Sequence, residues 1–374
     1  MKIFKLIVVG AIALIVLIEL VIRFIFPVPM EPGATLLLTN EIPGLKPSVR
    51  FEFDGDQLRK QNWSKDRDSE NLRILCFGGN ATTSIIQGSA DTWWGVLSSE
   101  LARETGKKVE VAALAHSTGG QIISALSKAE LILDKYEVDL IICCFGFGDA
   151  MGFYGDYKYS PDKLARLRES RPKGFKYGLA KASHVLRIVR NQRTKKYLQG
   201  THQRFNEHNY LLKQLEMFRQ YASSLPLREG VIRKMRKGDD PLREYIDGIN
   251  GFISLAAKHN AKILVIEEPT IYTTLPSGLT DDLVKPKPVF FASKPGPGQG
   301  NQVSILAVEQ ELRRFFDAGR NACETASIPW LGLEKLQFPA SGQYASETYL
   351  TDHGAQTFAL GVLPKVLELL HSKD

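Results

Sequence analysis

The sequence predicts an α/β protein built on an open parallel sheet with helices on both faces. Three observations lead there. Four short apolar runs rich in branched residues, at 72–77, 109–114, 140–145 and 262–266, have the length and continuity of strands buried on both faces. Residues 92–103, 121–133, 306–316 and 356–370 carry apolar side chains at helical spacing. The two kinds of segment alternate, and a strand–helix–strand repeat folds into parallel strands whose crossover helices cover the sheet. A weaker run at 328–331 predicts a fifth strand. Binding and catalysis in such sheets sit at the carboxyl ends of the strands.

Composition agrees with a folded chain. With 44% hydrophobic and 24% charged residues, the 374 residues exclude a collagen-like, disordered or coiled-coil protein. The four cysteines, Cys76, Cys143, Cys144 and Cys323, lack zinc-site spacing, and three fall inside apolar runs. Buried free thiols are expected, with an extracytoplasmic disulfide as the alternative.

The N-terminus predicts a membrane anchor. Residues 6–22 are apolar apart from Glu19, with Lys2 and Lys5 before them and Arg23 after. Seventeen residues and the apolar flank to residue 26 suffice to span a bilayer. A cleavable signal peptide is disfavoured, because Ala11 and Ala13 lie in the middle of the run and no small-x-small pair follows it. The positive residues ahead of the span keep the N-terminus cytoplasmic and place the rest outside, anchored to the cell's inner membrane. Glu19 is expected to reach the interface at the outer end, with a partner helix as its alternative contact.

The expected organisation is a tip and anchor at 1–27, a polar linker at 28–70 and an α/β domain at 71–374, interrupted by a basic, mostly helical insertion at 151–245. The net charge of +7 is concentrated there: residues 151–240 hold 21 Lys and Arg against 8 Asp and Glu. Basic faces at 164–171, 187–196 and 231–237 suit anionic lipid headgroups or an anionic glycan, or are simply solvated. Nucleic acid is not expected on the non-cytoplasmic side. The Pro- and Gly-rich stretch 286–300 reads as a loop near the strand ends.

Residues 74–83, Ile-Leu-Cys-Phe-Gly-Gly-Asn-Ala-Thr-Thr, end a strand in a glycine turn. Asp91-Thr92-Trp93-Trp94 opens the next helix, Cys144-Phe145-Gly146-Phe147-Gly148-Asp149 closes the third strand, and Tyr349-Leu350-Thr351-Asp352-His353-Gly354 precedes the last helix. In this order the segments resemble the motif blocks of SGNH/GDSL hydrolases over residues 72–150 and 250–370. The resemblance implies a three-layer α/β/α sandwich with a flavodoxin-like parallel sheet, and ester hydrolysis or acyl transfer as the ancestral chemistry.

The same resemblance implies that the catalytic side chains have been replaced. Asn80 stands where the family has its nucleophilic serine, and a conjugated amide nitrogen cannot attack a carbonyl as an activated hydroxyl does. The oxyanion-hole positions correspond to Ala115, which keeps a backbone amide, and Gly148, which has lost the side-chain donor. Tyr349 and Ser346 stand at the histidine and its acid. A rebuilt site would draw on His116, Asp149, Asp352 and His353, with Thr82, Thr83, Ser84 or Ser117 as hydroxyl donors. The plainer roles are a solvated helix start for His353, a loop histidine for His116, a turn held by the Asn80 amide and a cap on the next helix for Asp149.

No cofactor is expected, since Gly296, Gly298 and Gly300 lie in a Pro-rich loop, and no metal-ligand cluster is evident. The functional expectation is a catalytically degenerate, membrane-anchored domain that binds an acylated glycan or lipid-linked saccharide, or scaffolds envelope enzymes. A rebuilt ester hydrolase or acyltransferase is the second expectation, and a structural membrane-surface protein the third.

Overall fold

A computed structural model describes residues 10, 14–21, 34–54, 56–64, 66–114, 121–150, 183–204, 206–207, 227–228, 240–274, 289–291, 302–336 and 343–372. Its centre is a six-stranded sheet. Strand β4 (Leu72–Gly78) lies between β5 (Val109–Leu114) and β6 (Leu140–Phe145), Ile74 pairing with Val111 on one side and Leu140 on the other. Beyond β6 come β8 (Lys262–Glu267) and β11 (Trp330–Leu331), all parallel. Strand β3 (Leu58–Gln61) adds an antiparallel edge to β5. The four long runs and the weaker fifth are therefore strands in the order expected of a doubly wound sheet.

Side-chain alternation explains why these strands are apolar throughout. Leu75, Phe77, Ile141, Cys143, Ile263 and Val265 face one core, shared with helices α3 (Ile122–Leu133), α6 (Pro241–Lys258) and α8 (Ile305–Thr325). Ile74, Cys76, Leu140, Ile142, Leu264 and Ile266 face the other, packed against α2 (Trp93–Thr105) and α9 (Asp352–His371). With a period of two, a strand covered on both faces needs apolar residues at every position. The three-layer sandwich follows. All four cysteines are free and buried. Glu110, the one carboxylate within β5, is fully buried but pairs with Arg73 of β4 at 2.6 Å. Burial works against its charge; Arg73, Lys108 and Asn71 outweigh that and hold its carboxyl below the usual range.

Helix starts follow the side-chain rules. The Thr92 hydroxyl accepts from Gly95 N (3.2 Å) to open α2, and the Thr351 hydroxyl accepts from Gly354 N (3.0 Å) to open α9.

Two expectations change, and a third lies mostly outside the described residues. Within 28–70, expected as a linker, the described residues include strands: β1 (Ala34–Thr39) and β2 (Ser48–Phe53) make an antiparallel hairpin, followed by β3. Leu36, Leu38, Val49 and Phe51 point into a third small core with Ile85, Ile86 and Leu198, while their alternate neighbours are exposed. A hairpin buried on one face alternates apolar with polar, which lowers its apparent hydrophobicity. Within 286–300, Val289–Phe291 forms β9, antiparallel to β10 (Gln302–Ser304), which also pairs with β7 (Leu227–Arg228). The N-terminal span is described only at residues 10 and 14–21, which are helical; no helix among the described residues is long and apolar enough to cross a membrane. The rest of 6–26 lies outside the described residues, as does much of the insertion. Its main described element is a 21-residue helix, α5 (His184–Arg204), which precedes α6.

Candidate functional site

The chain runs from β4 outward to β5, then returns to β6 on the other side of β4. Crossovers that leave in opposite directions mark a topological switch point at the carboxyl ends of β4 and β6, where ligands of doubly wound sheets bind. Asn80 and Gly148 flank this switch point.

Strand β4 ends in Gly78 and Gly79, followed by the single helical turn α1 (Asn80–Thr83). Close approach requires both glycines. A Cβ on Gly78 would come within 2.5 Å of the Cys144 carbonyl oxygen, and one on Gly79 within 2.6 Å of Glu268 Oε2. Gly79 N donates to Cys144 O (3.0 Å), tying the turn to β6. Asn80 is half-buried. Its carbonyl accepts from Ser84 N (3.0 Å), whereas its side-chain amide makes no hydrogen bond among the described residues. The turn is held by backbone and by Arg59 of β3, whose guanidinium donates to the Thr83 and Ser84 carbonyls (2.8 Å each), not by the Asn80 amide.

Strand β6 ends at Gly146, whose φ of +149° and contact with the Phe316 ring exclude a side chain. The short helix α4 (Phe147–Ala150) contains Gly148 and Asp149, both buried. Asp149 does cap a helix, but the preceding one: its Oδ1 accepts from Ile122 N (3.0 Å) at the start of α3. Replacing Asp149 by Ala should cost about 1 kcal/mol and by Asn much less, because Asn keeps the acceptor. Thermal unfolding of the two variants checks this; equal losses would mean the carboxylate charge, not the cap, is what matters.

The group at the centre of the switch point is Glu268, which immediately follows β8 and is 1% exposed. Phe147 N donates to its Oε2 (3.0 Å), and Gly79 packs against the carboxyl. Burial pushes its ionisation up to about 8; Phe147, Ala81 and Asn80 amides favour the charged form, and nearby Asp149 opposes it. At neutral pH the carboxyl is mostly protonated. Its neighbour Glu267 has a structural task, accepting from Leu333 N (3.0 Å), Trp330 Nε1 (3.2 Å) and Arg320 (3.2 Å) to fix β11.

The closing segment brings a second acid. Ile271 N, at the start of the short helix α7 (Ile271–Thr274), donates to the Glu347 carbonyl (2.9 Å), and the Tyr272 hydroxyl donates to Glu347 Oε1 (3.0 Å). Burial raises the Glu347 carboxyl to about 7, against the Tyr272 hydrogen bond. The Tyr272 ring stacks on Phe147 with centroids 6.1 Å apart and planes within 3°. Glu268, Phe147, Tyr272 and Glu347 thus form a continuous wall from the strand ends to the closing segment.

The remaining expected residues divide. Tyr349 is half-buried beside the hairpin core, and its carbonyl accepts from Ala345 N (2.8 Å) and Ser346 N (3.3 Å). His353 is exposed on the first turn of α9, the plainer of its two expected roles. Asp352 accepts from Gln87 Nε2 (3.0 Å) and Lys46 N (3.1 Å), fastening α9 to the hairpin instead of orienting a base. Thr82, Thr83 and Ser84 are buried. Ala115, His116 and Ser117 lie outside the described residues. Glu268, Tyr272 and Glu347 were not singled out from sequence. The consecutive acids of Glu267-Glu268-Pro269 at the end of a buried strand are the signal for the first, since charge there faces the carboxyl-end crevice.

A groove of about 1010 Å³ lies at the opposite edge, between the amino ends of β4 and β8 and the end of α9, lined by Leu72, Lys262, Ile328 and Leu369. It is remote from the switch point.

No family model and no curated protein matches the chain. Among solved structures it is similar to a carbohydrate acetylesterase family member from Sinorhizobium meliloti, with a TM-score of 0.37 and 10% identity over 80% of this chain and 100% of that one. It is also similar to the M. smegmatis aryl esterase (0.38, 13%, 80% and 99%) and to LAE5, an α/β hydrolase from the metagenome of Lake Arreo, Spain (0.40, 10%, 80% and 97%). The strand order, with a glycine turn after β4 and a second glycine turn after β6, is that of a doubly wound α/β/α sandwich.

Proposed function

We propose that this chain is a catalytically degenerate SGNH-type domain that binds an acylated glycan or lipid-linked saccharide without hydrolysing it, held on the non-cytoplasmic face of the membrane by its N-terminal helix. One observation carries the reading: at the switch point Asn80, in the turn after β4, stands beside the buried carboxyl of Glu268, with no nucleophile in partnership with a histidine among the described residues. Each group there can hydrogen-bond, and neither can make the acyl-enzyme that ester hydrolysis by a serine requires. A neutral carboxyl and a carboxamide suit a carbonyl or hydroxyl of an acylated sugar. A rebuilt hydrolase is the second reading, supported by two carboxyls, Glu268 and Glu347, whose raised ionisation suits proton transfer near neutral pH.

The full chain in detergent is expected to release no p-nitrophenol above the blank from short-chain esters and to be retained on an O-acetylated glycan more than on its deacetylated form. Turnover in the parent that disappears in His116→Ala or His353→Ala would establish the rebuilt hydrolase instead. Turnover gained by Asn80→Ser combined with Tyr349→His would support the alignment of these two positions with nucleophile and base.

A further inference from the structure

Residues 14–21 form helix with apolar side chains turned outward: Leu14, Ile15, Val16, Leu17, Ile18, Leu20 and Val21 are 45–66% exposed. Glu19 is the exception, half-buried where the helix meets α5. Its Oε2 accepts from the Ser183 hydroxyl (2.9 Å) and from Val185 N (3.4 Å), at the first turn of α5. That turn has no acidic residue of its own, and α5 carries six Arg and Lys with no Asp or Glu. A carboxylate brought in from outside therefore satisfies backbone and hydroxyl donors that a helix start leaves open, and complements the positive end of the helix dipole. The other end of α5 is fixed to the globular domain. Leu198 is buried in the hairpin core, His202 Nε2 is 2.9 Å from Asn40 Oδ1, and Asn206 Nδ2 donates to Thr39 O (2.7 Å).

An ionisable residue in an apolar helix is costly in lipid unless it is paired, and here the pairing partner belongs to α5. We infer that Glu19 docks the membrane helix onto the start of α5, making α5 a strut that fixes the α/β domain at the bilayer instead of leaving it on a free tether. The occupant of the exposed apolar face is the lipid bilayer, and the strut carries basic residues suited to its anionic headgroups. Exposed Arg193 and Lys196 are among them. This rests on the membrane-anchor reading above.

The test uses the full chain in phospholipid vesicles containing anionic lipid, with Glu19→Cys and Ser183→Cys introduced together; the four native cysteines are buried and leave the new pair distinguishable. After reaction with a short bis-methanethiosulfonate cross-linker, which replaces the reach of the glutamate side chain, cleavage at a protease site engineered within residues 28–33 should leave the two fragments joined until reductant is added. A control pair, Leu17→Cys with Ser183→Cys, lies about 200° round the helix from position 19 and should give about tenfold less linked product. A chain that washes off the vesicles would overturn the membrane anchor itself. A chain that stays on the vesicles but links 19 to 183 no better than 17 to 183 would overturn the docking and leave the anchor intact. Linkage of 19 to 183 alone, on retained chains, supports both.

Discussion

Replacing Arg59 by Met is expected to destabilise the protein by about 4 kcal/mol, within the range for removing one member of a buried charged network. Arg59 is fully buried, and its side chain lies on β3, in the stretch whose composition predicts a linker. Its guanidinium donates to the carbonyls of Thr83 (2.8 Å), Ser84 (2.8 Å) and Gln87 (2.6 Å), with the Phe51 ring 4.4 Å from its carbon centre. Burial pulls its ionisation down to about 9, so it stays charged at neutral pH. No carboxylate touches it among the described residues; carbonyl dipoles and aromatic faces, with Asp91 attracting it from a distance, offset the charge. Methionine fills much of the space but leaves the Thr83 and Gln87 carbonyls without a donor and Ser84 O with only Gln87 N (3.3 Å), and an acceptor stranded away from water costs more than its hydrogen bond contributed. Those carbonyls belong to the chain that leaves Asn80, so the loss also loosens α1 at the crevice. Chemical denaturation measures the first effect. A loss below about 1 kcal/mol would mean water replaces the guanidinium.

Arg59 also shows where the sequence stopped being informative. The buried strands were legible because a sheet covered on both faces demands uninterrupted apolar runs, and β4, β5, β6 and β8 have them. The same signal hides one-faced strands: β1 and β2 alternate, and β3, Leu-Arg-Lys-Gln, contains one apolar residue in four. Nothing local distinguishes a buried arginine from a solvated one; its partners are some 25 residues away in sequence. At the site, Asn80 and Gly148 were legible because they follow strands. Asp149 was placed correctly, yet its capping target was a non-local helix end. Glu268 and Glu347 escaped because their significance lies in burial and in the amides and hydroxyl that meet them.

Replacing Glu268 by Gln should flatten the pH dependence of stability and raise stability at pH 8. In the folded protein this carboxyl is held up to about 8 from an ordinary value of 4.5. The folded state therefore binds the proton more tightly than the unfolded chain, so the group's contribution is fully present below about pH 4.5 and is lost as pH rises toward 8. Glu244, also raised to about 8 by burial with Asp149 and Asp247 nearby, and Glu347, at about 7, pull in the same direction. Glutamine keeps the size and an acceptor for Phe147 N but cannot ionise. At about 1.4 kcal/mol for each tenfold change in proton affinity, the variant should escape roughly 3–4 kcal/mol of the parent's loss between pH 5 and pH 8. Denaturant titrations at pH 5, 6.5 and 8 give the two curves; parallel curves would show that Glu268 ionises normally and that solvent reaches it. A flattened curve would place a neutral carboxyl beside Asn80 at physiological pH. Such a group can donate a hydrogen bond to a carbonyl oxygen, as a carboxylate cannot. The acid that destabilises the fold as pH rises is then the same group that, on the proposed reading, would offer a hydrogen bond to an acyl carbonyl.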